Sequence, residues 1–214
     1  MIAQVRRSER GQSNLIEISM TLLILAVVLA FLYSSIGSAE KVANGTRMRV
    51  ANLDEARTLM AVLTKDIRTA TRLKAGTAPF VAADKRDVTF YANLDDATGG
   101  PRKVHLYVDS SNEIISSVQV PDSASVAPNY TYTGAAKLRY VGRYLANTAG
   151  QPVFQYFDAA GTELIHTPLS SGDLLAVASV KITLVVRAST SLPVGNVTLV
   201  DQVRLPNVEY QTTS

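Results

Sequence analysis

The chain reads as an α+β protein: a long N-terminal helical spine, transmembrane in its first half, packed on a C-terminal, mainly antiparallel β-sheet head. Three observations predict this. Ile18 to Ile36 is a nineteen-residue run without charge, proline or glycine. No proline occurs before Pro79, so nothing in that stretch forbids helix. Beyond Pro79, short β-branched and aromatic runs alternate with turn clusters, which is the texture of a sheet.

The spine comes first. Nineteen helical residues rise about 28 Å, close to the hydrocarbon thickness of a bilayer. Before them stand Arg6, Arg7 and Arg10. The positive-inside rule keeps such a flank cytoplasmic and sends the rest of the chain across. From Leu15 to Lys74 only Gly37 and Gly45 interrupt, so a helix of about 60 residues is allowed. Asn44-Gly45 is the expected kink or break.

The second half of the spine, residues 37–75, carries an apolar stripe. Leu53, Ala56, Met60, Leu63, Ile67 and Ala70 recur at spacings of three and four. Asp54, Glu55, Arg57, Lys65, Asp66, Arg68 and Arg72 fall mostly elsewhere on the wheel. A helix of this kind needs a partner surface, and the chain's own sheet is the natural one. Lys74, Gly76 and Pro79 mark the expected end.

Residues 76–214 form the head. Candidate strands are 88–93, 104–109, 113–120, 137–140, 153–158, 175–188 and 197–205. Turns are expected at 95–101, 109–112, 158–161 and 191–196. The last two strands form a hairpin around Leu192-Pro193-Val194-Gly195. The sheet is expected to be largely antiparallel, one face against the helix.

Composition narrows the chemistry. Of 214 residues, 47% are hydrophobic, enough for a real core. The formal charge is +3, and the leader through Gly11 supplies +2 of it, three arginines against Glu9. The remainder is close to neutral and offers no firm sign of a nucleic-acid surface. Cysteine is absent, which removes disulfides, thiolate metal sites and a cysteine nucleophile. No P-loop, dinucleotide fingerprint, nucleophile elbow or His-Glu-x-x-His occurs. His105 and His166 read as packed or solvent-edge histidines. Asp95-Asp96 beside Gly99-Gly100 lacks the ligand count of a calcium loop and reads as a solvated turn. No catalytic residue, metal or cofactor is expected.

Glu17 is the residue that the apolar run does not explain. Three readings compete. A secretory signal would be cut after Ala39, at Gly37-Ser38-Ala39, releasing a soluble β domain that binds a ligand or hydrolyses a substrate. A plain signal anchor would let Glu17 snorkel to the headgroups. The third is a short basic leader removed at Gly11, followed by a mature helix with an acidic residue near its start. Gly11, then Leu15-Ile16-Glu17 and a long apolar helix, resembles the type IV prepilin signal.

That resemblance implies cleavage by a prepilin peptidase after Gly11, methylation of the new N-terminus, and an assembly role for Glu17. A carboxylate buried near the helix start neutralises the terminal ammonium of a neighbouring subunit, where an unpaired charge would be costly. The family pattern puts the glutamate fifth. Cutting after Gly11 puts Glu17 sixth, and cutting after Gln12 makes it fifth but loses the glycine at the cut. Gly11 is favoured because a small residue lets the protease approach the backbone closely.

The order of elements is also that of a pilin. Phe154-Gln155-Tyr156-Phe157-Asp158 with Gly161 resembles the "F-x-Y-Y-D-x-x-G" hairpin of minor pilins of the PilW and type II secretion J-subunit kind. Leu63-Thr64-Lys65-Asp66-Ile67-Arg68 is similar to that group's "L-x-x-D-I-R", and Val203-Arg204-Leu205-Pro206-Asn207 to its closing strand. The resemblance implies a minor pilin or pseudopilin of a type IV pilus, competence pilus or type II secretion pseudopilus. Residues 1–11 would be the cytoplasmic leader and 12–36 the transmembrane and assembly helix. The chain would be a single-pass protein of the cytoplasmic membrane, later part of a surface or periplasmic filament. Implied partners are other pilin subunits, prepilin peptidase, the inner-membrane assembly platform and, before assembly, membrane lipid.

Overall fold

The computed structural model describes residues 3–94, 99–187 and 195–209, with side chains described from residue 14 to 207. The chain forms two compact units, Met1–Arg47 and Met48–Ser214. Helix α1 covers Ala3–Arg68. Eight strands follow: β1 (Phe80–Ala83), β2 (Asp87–Ala92), β3 (Arg102–Val108), β4 (Ile114–Gln119), β5 (Lys137–Gly142), β6 (Phe154–Phe157), β7 (Ser179–Val186) and β8 (Val197–Arg204). Two short helices, α2 (Ser171–Ala176) and α3 (Pro206–Glu209), complete the described elements. The fold is α+β, a long N-terminal helix whose residues 48–68 pack on a C-terminal antiparallel sheet structure.

Helix α1 runs through Gly37 and Asn44-Gly45 without interruption, so the expected break is absent. One glycine costs only about 0.5–1 kcal/mol against alanine, and the flanking turns supply uninterrupted hydrogen bonds. Its C-terminus also differs from expectation. The helix stops at Arg68, before Lys74. Thr69 donates through Oγ1 to the Asp66 carbonyl at 2.7 Å, and the Thr69 and Ala70 amides reach back only three residues. The backbone then turns to β2: Thr71 N–H donates to Tyr91 O at 2.8 Å, and Asn93 N–H to Thr69 O at 3.1 Å. Sheet pairing satisfies these groups in place of another helical turn.

The head has two sheets, of order β1-β2-β3-β4-β5 and β6-β7-β8, with every neighbouring pair antiparallel. Strand β2 buries alternate residues Val88, Phe90 and Ala92, and β3 buries Val104 and Leu106. The period of two places these side chains on one face. Against them lies the apolar stripe of α1: Ala56, Met60, Leu63 and Ile67 are buried as expected, and Leu59 joins them. Leu53 is only partly buried. Phe80 packs against Phe90 and Tyr156 with ring centroids 5.9 and 6.1 Å apart. Such tilted pairs contribute roughly 0.5–1.5 kcal/mol each beyond their burial.

Strand β1 has no counterpart among the expected strands, and the expected strand 175–188 begins later than its sequence suggests. Its first residues belong to α2, and β7 begins at Ser179. Ser170 caps α2: its hydroxyl accepts the Asp173 N–H at 3.2 Å and donates to the Asp173 carboxylate at 2.8 Å. This is a side-chain N-cap, written in the sequence as Ser170 three residues before Asp173. The hairpin of the last two strands is present, with Val186 opposite Val197. Its tip at Leu192-Pro193-Val194 lies outside the described residues, as does Asp95-Asp96.

The Phe154–Gly161 motif has a physical reason. Phe154 and Tyr156 point inward from β6 and are fully buried, and Tyr156 donates its phenol to the Asp84 carbonyl at 2.9 Å. Asp158 then closes the turn, accepting from Gly161 N–H through its carbonyl and from Thr162 N–H through Oδ1. Gly161 has φ +82°, which glycine adopts without strain.

Candidate functional site

The first unit contains one helix and no sheet to cover it. Every described side chain from Asn14 to Ile36 is exposed, including Leu15, Leu22, Leu25, Val28, Phe31 and Leu32. The exposure goes all the way round the helix. A helix that is apolar on every side is suited to lipid or to a bundle of similar helices rather than to water. It is long and apolar enough to cross a membrane.

Three hydroxyls on this stretch are already satisfied within the helix. Ser19 Oγ donates to Leu15 O at 2.7 Å, Thr21 Oγ1 to Glu17 O at 2.8 Å, and Ser35 Oγ to Phe31 O at 2.9 Å. Each hydroxyl bonds the carbonyl four residues back, so its hydrogen needs no water.

Glu17 differs from these hydroxyls in its charge. Its side chain is exposed, and no cation among the described residues is within ion-pair distance of it. It stands one residue before the uncharged run begins at Ile18. The backbone of Gly11 and Gln12 belongs to α1, while their side chains lie outside the described residues. Two facts thus meet at the helix: a nineteen-residue exposed apolar surface, and at its mouth one carboxylate with no ion-pair partner among the described residues.

In the second unit, His105 Nε2 lies 2.8 Å from Asp87 Oδ2, and its ring stacks on Tyr107 with centroids 4.7 Å apart. The pair is partly exposed on the outer face of β2 and β3. His166 is exposed beside Thr167-Pro168. Among the described residues, no cluster of three or more His, Asp or Glu could hold a metal ion.

The head's resemblance motifs acquire definite roles. Leu63 and Ile67 of the Leu63–Arg68 segment are in the core. Thr64 Oγ1 donates to Asp201 on β8 at 3.2 Å, and Asp66 pairs with Arg139 on β5 at 3.6 Å. The helix is therefore tied to an edge strand of each sheet. Sequence reading assigned no role to Arg102, Ser116, Lys137 and Arg139; the visible signal was Lys137-x-Arg139, two cations on one face of a strand.

No protein-family model matches this chain, and no curated protein matches it significantly.

Proposed function

We propose that this chain is a structural subunit, a minor pilin or pseudopilin, that enters a filament through its N-terminal helix. The observation that carries the reading is the exposed apolar helix whose Glu17, at its start, has no ion-pair partner among the described residues. In lipid, and then in a bundle of similar helices, the backbone is satisfied internally and the side chains find apolar neighbours. Glu17 pairs with the terminal ammonium of an adjoining subunit and sets the register between them. The same helix face meets different faces of successive subunits, and such heterologous contacts generate open filaments.

Prepilin peptidase removes the leader at Gly11 or Gln12, and an inner-membrane platform transfers the helix from lipid to filament. The size of the head, residues 76–214 with two sheets, favours a minor subunit with a specific task over a bulk component.

Mass spectrometry of the mature N-terminus is the deciding experiment. A start at Gln12 or Ser13 supports the filament subunit. A start at Glu40 removes the apolar helix and leaves a secreted β domain, which would overturn it.

A further inference from the structure

We propose that the cleft between the last turns of α1 and the inner face of β3-β4-β5 is a binding site for a phosphate group, free or as a monoester. The inference is independent of filament assembly.

The inner face of the five-stranded sheet is apolar over most of its area, with Val88, Phe90, Val104 and Leu106 fully buried. At one end this changes. Arg102 shares the face of Val104 and Leu106, two and four residues along β3. Ser116 on β4 is opposite both Leu106 and Arg139, and Val118 is opposite both Val104 and Lys137. The period of two therefore brings Arg102, Ser116, Lys137 and Arg139 to one face of three adjacent strands. Lys65 and Asp66 of α1 close the other side of a cleft of about 220 Å³.

Two features mark this cleft as more than a solvated surface. Ser116 is 1% exposed, and its hydroxyl has no hydrogen-bond partner among the described residues; the Arg102 Nε is likewise buried without an acceptor among them. A buried donor left unpaired costs roughly 1–3 kcal/mol, so the arrangement calls for an acceptor in the cleft. Second, four cations face one carboxylate. Arg139 pairs with Asp66 at a loose 3.6 Å, while Lys65, Arg102 and Lys137 have no ion-pair partner among the described residues.

The ligand must therefore carry negative charge and several acceptor oxygens. A phosphate dianion balances a net lining charge of three positives better than a carboxylate does. Its tetrahedral oxygens match a guanidinium fork together with a hydroxyl. A single water needs only about 10–15 Å³ of such space, so the cleft holds a polyatomic anion with its hydration.

The test uses the full chain in detergent. Thermal melting is compared in sodium phosphate and in sodium chloride at equal ionic strength, and phosphate binding is titrated calorimetrically. Glucose 6-phosphate and glucose form parallel arms. Phosphate should raise the melting temperature above the chloride value. Lys137→Gln with Arg139→Gln, both at exposed positions, should abolish the rise, and Ser116→Ala should weaken binding about tenfold. Ser116→Ala should also melt higher than the parent without phosphate, because an unpaired buried hydroxyl is gone. Stabilisation by glucose 6-phosphate but not glucose identifies an esterified phosphate as the ligand; stabilisation by inorganic phosphate alone identifies the free ion. Equal melting in phosphate and chloride together with no stabilisation by glucose 6-phosphate over glucose, or binding unchanged in the variants, overturns the proposal.

Discussion

Gly142 on β5 lies directly against Leu59 of α1: a Cβ at Gly142 would stand 2.7 Å from both Leu59 methyl carbons and 3.1 Å from its Cγ. The absence of a side chain at this one position lets the edge strand approach the helix. Leu59 is 1% exposed, so it has little room to yield.

Gly142→Ala should therefore destabilise the head by about 1–3 kcal/mol through overpacking, read as a lower urea midpoint. Combining it with Leu59→Ala should cost less than the two single changes added together, because the cavity of one accepts the methyl of the other. Strict additivity would show that the two residues do not press on each other.

Leu63→Ala should cost about 2–5 kcal/mol of head stability, since Leu63 is fully buried between helix and sheet. Leu25→Ala makes the same chemical change on the uncovered part of α1, where Leu25 is 51% exposed. It should leave the head's urea transition unmoved. A comparable loss from both would mean that the N-terminal half of the helix takes part in the head's core.

Tyr156 supplies a pH dependence. Burial holds its phenol well above the ordinary tyrosine value of 10.0, with further upward pushes from the charges of Asp84 and Asp87. Burial also raises Tyr132 and Tyr91. A raised folded-state pKa means that the native protein keeps the proton while the unfolded chain releases it. Stability is then fully present below pH of about 10 and declines as pH rises toward the folded value. Tyr156→Phe should cost about 1–3 kcal/mol at neutral pH by orphaning the Asp84 carbonyl. It should also flatten the alkaline decline, which urea midpoints on either side of pH of about 10 would reveal. Parallel declines in parent and variant would remove Tyr156 as a source.

Glu17→Val bears on assembly. The change makes the helix more apolar and leaves Gly11 and Gln12 intact, so leader removal should proceed while incorporation into filaments fails. The mature mass and the amount of chain in sheared filaments report the two steps separately. Normal incorporation would show that no charge pairing depends on Glu17.

The apolar run, the amphipathic stripe and the antiparallel head are legible in the sequence because each rests on a local period. Alternation placed Val88, Phe90, Val104 and Leu106 on one face of the sheet, and spacings of three and four placed Ala56, Met60, Leu63 and Ile67 on one face of the helix. Glu17 stood out for the same local reason, as the single charge at the edge of an uncharged run. The N-cap at Ser170 is also local, yet the apolar residues after it read equally well as strand.

Other features belong to the tertiary structure alone. Helix α1 ends at Arg68 because Thr71 and Asn93 find partners in β2 and at Thr69, a choice made by residues twenty or more positions apart. The division into two sheets, the contact of Gly142 with Leu59 and the gathering of Arg102, Ser116, Lys137 and Arg139 depend on which strands become neighbours. A period states which face a side chain occupies. It says nothing of what lies opposite, and burial, charge pairing and unsatisfied hydrogen bonds are all decided by that opposing surface.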